Sequence, residues 1–425
     1  DSPKCPRCSL VGVCLPDETR LLAEFSGRRH EPPAAQLDFA LGDPLADPAR
    51  LAANPFADFP EVRLPVLKPS SDIRRLIAPD IDNRALYLHQ PGVHLGKKDE
   101  TFVAREKGRK IADFRIIDIH HIALFGPVQV STAVVQTACE RDIPVSYFSM
   151  GGWFYGMTRG HGLKNVFTRI EQFAAAADPH RAIGIARRFV HGKIRNQRTL
   201  LVRNHISPPR DTLRDLKTLA SLALAAGSPP SLLGIEGNAA RLYFSAFQGM
   251  LKVREETDAG SEQRAGGLPL FHFDGRNRRP PRDPVNALLS MAYALLAKDC
   301  TIAAWSAGFD PYVGFFHQPR FGRPALALDV MEEFRPLIAD SVVLTMVNNQ
   351  MLGDADFVRA GDAVTLAAQG RKKLFEAYEK RLHDPIMHPV FGYRVSYRRA
   401  LELQFRLLAK VLDGEIEAYF PFTTR

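Results

Sequence analysis

One histidine and several carboxylates fall in two short stretches of this sequence. In the first, GFDPYVGFFHQPRFGRPALALDVMEEFRPLIAD, His317 precedes a Gly-Arg-Pro turn and an apolar run that carries Asp329 and Glu332. A helix through that run places these two acids, three residues apart, on one face. In the second stretch, LLGIEGNAARLYFSAF, Glu236 lies between glycines at the expected start of a helix. One imidazole with two or three carboxylates is a suitable ligand set for a divalent metal ion.

Each of these residues also has an ordinary structural explanation. A histidine after two phenylalanines is commonly a hydrogen-bonded core residue, and acids three apart commonly form a solvated helix face. A glutamate at a helix start complements the helix dipole. Periodicity alone therefore leaves a metal site and a structural cluster both open. Glu333 and Asp340, in the first stretch, receive no functional role.

Three long segments around these residues resemble the CRISPR-associated integrases, the Cas1 family. They are GIEGNAARLYF, RPPRDPVNALLSMAYALL and GFDPYVGFFHQPRFGRPALALDVMEEFRP, in that order, and the resemblance extends from about Ala85 to the C-terminus. The resemblance implies that Glu236, His317 and Glu332 bind a catalytic Mg²⁺ or Mn²⁺ ion. It gives Asp329 the role of a supporting carboxylate at the catalytic site.

The elements that position these residues are predicted to be helices, because the pattern changes from strands to helices along the chain. Short β-prone runs occupy residues 85–160, with one helical crossover at Ser131–Arg141. The expected fold class is α+β, with an N-terminal β-sandwich-like domain at residues 81–163 and a larger all-α catalytic domain at residues 164–425. The family resemblance implies that the β domain serves for dimerisation.

Some local predictions follow from the same patterns. In the catalytic domain we expect a small hairpin at Phe357–Ala368 and helices at Arg371–His383 and Val395–Leu412. His120 and His121 are neighbours in a strand and point to opposite faces of its sheet. They make a poor metal pair and are predicted to be structural.

The first residues contain Cys5, Cys8 and Cys14 in the pattern C-x2-C-x5-C. Thiolates at this spacing favour zinc or an iron–sulfur cluster, while three metal-free thiols remain an alternative. The spacing resembles the end of the RecB-like CRISPR adaptation nuclease, the Cas4 family, which some integrases carry as a fused domain. We therefore expect residues 1–18 to be the cysteine-bearing tail of a truncated nuclease domain, with any cluster completed only in the full-length fusion. Residues 19–80, rich in Pro, Ala and Asp, are predicted to be a linker or an ordered extension of the next domain.

The charge distribution favours a polyanionic partner. The net charge is +9 over 425 residues, and the segment 181–210 holds eight Arg or Lys residues and no Asp or Glu. An unbalanced basic run favours phosphate binding, whereas a solvated helix face usually mixes signs. The predicted DNA contacts are Arg187, Arg188, Lys193, Arg195 and Arg198 on a helix, and Arg276, Arg278 and Arg279 on a polar loop. The alternative interpretation of this loop is a basic surface loop without a DNA contact.

The functional hypothesis is a metal-dependent DNA integrase and endonuclease of CRISPR adaptation. Joining a DNA 3′-hydroxyl to the CRISPR repeat by transesterification needs no ATP, and the sequence has no G-x-x-x-x-G-K-[ST] loop. The resemblance implies a homodimer and a small ferredoxin-like partner, the Cas2 protein. No apolar run reaches the roughly 18 residues of a membrane span, so a cytoplasmic protein is expected. A nuclease for branched or single-stranded DNA and a non-catalytic DNA-binding scaffold are the alternatives.

Overall fold

A computed structural model of the chain describes residues 14–26, 84–161, 166–252, 270–277 and 280–424. Its first element is helix α1 (Pro16–Ser26). This helix crosses residue 18, where the boundary between the cysteine-bearing tail and the linker was predicted. Leu15 and Leu22 are buried in the core of the helical region. The hydroxyl of Tyr393 donates a 2.9 Å hydrogen bond to Glu18, which ties α1 to the far end of the chain.

The β region contains eight strands in two four-stranded sheets. The strands are β1 (Arg84–Leu88), β2 (Val93–Lys98), β3 (Thr101–Glu106), β4 (Arg109–Arg115), β5 (Ile119–Phe125), β6 (Gln129–Val130), β7 (Val145–Phe148) and β8 (Phe154–Thr158). The first sheet has the order β1-β5-β7-β8, with β8 alone antiparallel. The second has the order β4-β3-β2-β6, antiparallel except for the β2–β6 pair.

The two sheets share one hydrophobic core, as the sandwich-like expectation requires. Leu95 and Phe102 of the second sheet are fully buried together with Ile122 and Val145 of the first. Helix α2 (Thr132–Glu140) packs against β2. It begins where expected because the side chain of Ser131 accepts a hydrogen bond from the N–H of Val134.

The helical region follows from residue 167. Its helices are α3 (Phe167–Ala177), α4 (Pro179–Asn204), α5 (Arg210–Ala225), α6 (Pro229–Ser245), α7 (Pro284–Ser306), α8 (Ala325–Phe334), α9 (Ser341–Asn348), α10 (Ala368–His383) and α11 (Tyr397–Leu412). A π-helical segment, Arg335–Asp340, joins α8 to α9. It contains Pro336, which has no N–H and therefore interrupts the regular pattern of helical hydrogen bonds. Among the described residues, α7 is the one helix long and apolar enough to cross a membrane; most of it is buried within the protein.

The helical region is not all-α, which corrects the expected fold class in one respect. The hairpin predicted near Phe357 is present, formed by β9 (Phe357–Ala360) and β10 (Ala363–Leu366). A second hairpin, β11 (Pro385–Met387) with β12 (Arg394–Ser396), was not expected. Its strands are three residues long and begin at a proline, so they leave almost no alternating pattern in the sequence.

The β region is attached to the helices through a buried polar contact. Tyr87 of β1 stacks on Phe375 of α10, and its hydroxyl donates a 2.6 Å hydrogen bond to Glu379. Arg398 pairs with Glu379 at 2.7 Å, and Lys298 pairs with its neighbour Asp299 at 3.0 Å. We call Tyr87, Lys298, Asp299, Glu379 and Arg398 the interface cluster.

The two strand histidines lie beside the interface cluster. The Nε2 atom of His121 lies 3.0 Å from the hydroxyl of Ser146, and the ring is fully buried. Burial also lowers the pKa of His120 to about 4, and the charge of Arg398 adds to that effect. Both rings are packed within the protein, as the structural prediction requires.

Candidate metal centre

Three helices and one loop bring the predicted ligands together. Helix α4 packs against both α6 and α8. Lys193 comes from α4, Glu236 from α6 and Glu332 from α8. His317 lies in the loop that precedes α8, and its Nε2 atom is 3.7 Å from Glu332 Oε1. We call these four residues the metal-centre cluster.

One local expectation is corrected by the helix boundaries. Glu236 lies in the middle of α6 and not at its start, because the helix begins earlier, with Ser228 as its N-cap and Pro229 as its first residue. Ser228 caps the helix by accepting a hydrogen bond from Ser231 N–H, and proline suits the first position. Pro324 immediately precedes α8.

Asp329 holds the His317 loop in place. Its Oδ2 atom accepts hydrogen bonds from the N–H groups of Phe315 (2.6 Å) and Phe316 (2.9 Å). Its Oδ1 atom accepts from His317 N–H at 2.8 Å and lies 2.7 Å from His317 Nδ1. Gly314 permits this approach, since a Cβ there would lie 2.7 Å from Asp329 Oδ2. Asp329 is therefore saturated with donors and acts on the imidazole rather than on an ion.

The position of Asp329 also determines which nitrogen of His317 is available. A carboxylate accepts hydrogen bonds, so the proton of the neutral ring is best placed on Nδ1. The lone pair then lies on Nε2, which is the atom nearer Glu332. Histidines that bind metals are commonly oriented by a carboxylate in this way.

Lys193 lies between the two glutamates. Its ammonium donates a short hydrogen bond to Glu236 Oε1 and lies 2.8 Å from Glu332 Oε2. The side chain is buried, with 6% exposure, as is that of Glu332 with 3%, whereas Glu236 is 18% exposed. Glu332 Oε2 is thus a buried oxygen whose charged partner is the ammonium of Lys193.

Glu332 remains ionised despite its burial. Burial by itself would raise its pKa, but the positive charges of Arg335 and Lys193 prevail and lower the pKa to about 2. The guanidinium of Arg335 lies 3.1 Å from Glu332 Oε1 and stacks over the ring of Tyr293. A carboxylate held in its charged form is the state that a metal ion requires.

The donor set fits a hard divalent cation. Glu332 lies 3.7 Å from His317 Nε2 and shares the ammonium of Lys193 with Glu236, so two carboxylates and an imidazole nitrogen surround this buried lysine and glutamate. In the described part of the chain, no three His, Cys, Asp or Glu side chains are already arranged as a metal cage. The ammonium of Lys193 contacts the oxygens that such a cage would use.

Glu333 and Asp340, the two acids that received no functional role, serve the packing of the protein. Glu333 accepts hydrogen bonds from Tyr419 OH and Phe422 N–H, and burial raises its pKa to about 8. Asp340 accepts from Tyr243 OH at 2.8 Å and Tyr293 OH at 2.6 Å, and burial raises its pKa to about 6. Glu333 anchors the C-terminal segment against α8.

Most of the predicted DNA-binding residues of α4 are engaged within the protein. Arg188 donates to the carbonyl of Tyr419 at 3.1 Å, and Arg198 donates to that of Leu213 at 3.0 Å. Arg187 is half-buried, whereas Arg195 is exposed. DNA contact by these residues stays a prediction, and Arg195 is the member best exposed for it.

The predicted polar loop and cysteine tail are only partly described. Arg276 donates to Asn286 Oδ1 at 2.5 Å and to Ser290 at 3.1 Å, which holds its side chain against α7. Cys14 is an exposed free thiol, and nothing in the described residues supports an iron–sulfur cluster there. The remaining predicted positions, Cys5, Cys8, Arg278 and Arg279, lie outside the described residues.

Sequence reasoning missed the contact between Lys193 and the glutamates, and the role of Arg335. The signal for Lys193 was present in its helical phase. Lys193 lies three and four residues from Val190 and Phe189, which are fully buried, so it shares their inward face. The signal for Arg335 was its position three residues after Glu332.

Comparison with solved structures places this architecture in the class of Cas1 folds. A Cas1 protein from Thermotoga maritima has a TM-score of 0.66 at 23% identity and covers 80% of this chain and 100% of its own. A casposase bound to its integration product also has a TM-score of 0.66, at 22% identity, and covers 80% of this chain and 93% of its own. At these identities the likeness concerns the fold alone.

The sequence comparisons then identify the family. The family model described as CRISPR associated protein Cas1 matches residues 86–380. The CRISPR-associated endonuclease Cas1 3 of Thermus thermophilus is 39% identical over 80% of this chain and 97% of its own length. The chain therefore belongs to the Cas1 family. The Cas4/Cas1 fusion of Geobacter sulfurreducens is 41% identical over 100% of this chain, and this chain spans 67% of the length of that relative. This chain spans 64% of the length of the corresponding fusion of Rhodospirillum rubrum.

Proposed function

We propose that this chain is a metal-dependent DNA integrase and endonuclease of CRISPR adaptation. The observation that carries the proposal is that Glu332 lies 3.7 Å from His317 Nε2 and shares the ammonium of Lys193 with Glu236, although the three residues come from separate segments. Membership of the Cas1 family and relatives named as endonucleases support it.

The chain's own residues would prepare the site for catalysis. A Mg²⁺ or Mn²⁺ ion held by Glu236, His317 and Glu332 would supply Lewis-acid activation of the attacking hydroxyl and neutralise charge at the phosphoryl group. Mn²⁺ suits the set as well as Mg²⁺ does, because imidazole is a poor ligand for magnesium. Asp329 orients the imidazole, and Arg335 keeps Glu332 ionised.

The proposed reaction exchanges one phosphodiester for another. The oxygen of a DNA 3′-hydroxyl forms a bond to phosphorus, and the bond from phosphorus to the target's 3′-oxygen breaks. The proton lost by the attacking hydroxyl is balanced by the proton that the leaving oxygen gains. Water in place of the hydroxyl gives hydrolysis, so the same site would also nick DNA.

The proposed partners are DNA, a second copy of the chain, a Cas2-type protein and a fused adaptation nuclease. Two relatives that match the whole chain are named Cas4/Cas1 fusions, which supports the last of these. A chain of a Cas6-RT-Cas1–Cas2 complex has a TM-score of 0.66, so a Cas1 fold is compatible with such an assembly. The β region is the proposed dimer surface.

A strand-transfer assay tests the proposal. It combines the chain, a Cas2-type partner, a short duplex with free 3′-hydroxyls and a supercoiled plasmid that carries the CRISPR repeat. We expect joined products with Mn²⁺, none with chelator, and none with Glu332→Ala, whereas Glu140→Gln on the exposed surface of α2 should be active. Nicking without joining would indicate a nuclease, and DNA binding without chemistry under any metal would indicate a scaffold.

A further inference from the structure

Lys193 is the buried cation of the metal-centre cluster, and among the described residues its acidic partners are the two proposed ligands, Glu236 and Glu332. Its ammonium bonds to Glu236 Oε1 and lies 2.8 Å from Glu332 Oε2. Helices α4, α6 and α8 are thus joined at one point by a single positive charge. A buried ammonium is stable only with such compensation, because removing it from water is costly.

A divalent ion would need the same oxygens. Any ion bound by Glu236 and Glu332 would lie close to their facing oxygens, where the ammonium now lies. Two cations cannot share this space without strong repulsion, since Coulomb energy rises as separation and effective dielectric fall.

We propose that Lys193 is an exchangeable counterion that holds the two glutamates in place before metal binding and is displaced when the ion binds. This inference rests on the proposed metal site. It makes Lys193 a positioning residue in the metal-free protein and a competitor of the ion. The long lysine side chain permits the exchange, because its four-carbon stem can turn the charge away without movement of α4.

Mn²⁺ titration, with free Mn²⁺ followed by electron paramagnetic resonance, tests the exchange. Lys193→Met and Lys193→Gln remove the competing charge, and both should bind Mn²⁺ at least about tenfold more tightly than the unchanged chain. Lys217→Met, on the exposed face of α5, should leave Mn²⁺ binding unchanged. Lys193→Gln keeps a hydrogen-bond donor near the glutamates and so serves as the second variant if Lys193→Met does not fold.

Thermal unfolding gives a second readout that does not depend on activity. Without metal, two facing glutamates should lower the melting temperature of Lys193→Gln, and Mn²⁺ should raise it more than it raises that of the unchanged chain. Equal or weaker Mn²⁺ binding by both Lys193 variants would overturn the exchange, provided that Glu332→Gln abolishes binding. If the unchanged chain and Glu332→Gln both fail to bind Mn²⁺, the proposed metal site fails and the exchange fails with it.

Discussion

The described part of this molecule contains two buried clusters of charge, and they differ in the groups that contact their carboxylates. In the interface cluster, Asp299 pairs with Lys298 at 3.0 Å and accepts from Tyr378 OH at 2.7 Å. Glu379 in the same cluster accepts from Tyr87 OH and pairs with Arg398. All four carboxylate oxygens therefore have a partner. In the metal-centre cluster, the described partners of Glu236 and Glu332 are Lys193, Arg335 and His317, and none of them is a tyrosine hydroxyl.

The difference separates a structural use of buried charge from a chemical one. A fully paired network rigidifies the contact between two parts of the protein, and any exchange of partners costs stability. A carboxylate that is paired with an ammonium rather than with a hydroxyl can exchange that ammonium for another cation. Burial and charge alone do not distinguish the two clusters, whereas the tyrosine hydroxyls of the interface cluster do.

The largest effect on chemistry is expected from the proposed ligands. Glu236→Ala or His317→Ala should reduce strand transfer by more than about 100-fold, since loss of even a residue that supports a ligand costs about 10–100-fold. DNA affinity, measured by fluorescence anisotropy, should change little, because neither residue is part of the predicted phosphate-binding set. Equal losses of binding and chemistry would contradict the site assignment.

The interface cluster should respond to mutation through stability. Asp299→Ala leaves Lys298 with less compensation in the interior, and we expect a loss of about 3–5 kcal/mol in urea unfolding. Asp113→Ala removes an exposed pair with Lys110 and should cost less than about 1 kcal/mol. A small effect of Asp299→Ala would mean that the paired network does not stabilise the contact between regions.

Asp329 should act on metal affinity through the imidazole. Asp329→Asn keeps the size of the side chain but removes the charge beside His317 Nδ1 and one set of acceptor lone pairs. We expect Mn²⁺ affinity to fall by about 10–100-fold, as for other residues that orient a metal ligand. Isothermal titration calorimetry measures this directly, and unchanged affinity would leave Asp329 with a purely structural role in the loop.

Asp340 should make the free energy of unfolding depend on pH between about 4 and 6, in a way that the carboxylates of the interface cluster do not. Its pKa is raised in the folded protein to about 6 from an ordinary 3.8, so the folded state holds a proton that the unfolded state has lost. Stability from this group is complete below the ordinary pKa and is lost as pH rises toward about 6. Asp340→Asn should lack this loss, because an amide can still bond to Tyr243 and Tyr293. Urea unfolding from pH 4 to pH 7 compares the two, and parallel profiles would contradict the assignment.

The smallest effect is expected at the exposed Arg195. Arg195→Gln should weaken DNA binding equally for all sequences and reduce the slope of log affinity against log salt by about 1. Arg109→Gln, on the second sheet, is the matched control and should leave the slope unchanged. An unchanged slope for Arg195→Gln would indicate an ordinary solvated arginine.

Much of the architecture could be predicted from the sequence, because local signals agreed with the final packing. The crossover helix at Ser131–Arg141 was predicted from its helical pattern, and a hairpin was expected at Phe357–Ala368. Helix α6 was placed too late because the glycines around Glu236 were taken as its start, although Ser228 and Pro229 are the stronger signal. The β11–β12 hairpin has strands too short to show a period.

The candidate site was predictable in its residue types but not in its pairing. Glu236, His317 and Glu332 were predicted together through family resemblance, and their convergence depends on the packing of α4 against α6 and α8. The role of Lys193 could not be predicted from the basic run, because composition does not say which face of α4 is buried. The helical phase of Lys193 relative to Phe189 and Val190 indicates that face, and the neighbouring helices determine what lies against it.

Anomalous diffraction from crystals of the chain grown with Mn²⁺ tests the central claim most directly. The account predicts one strong Mn²⁺ peak within coordination distance of Glu236, His317 Nε2 and Glu332, with the ammonium of Lys193 displaced from between the glutamates. Absence of a peak at this position, with Lys193 still bonded to both glutamates and the ion bound elsewhere, would contradict it.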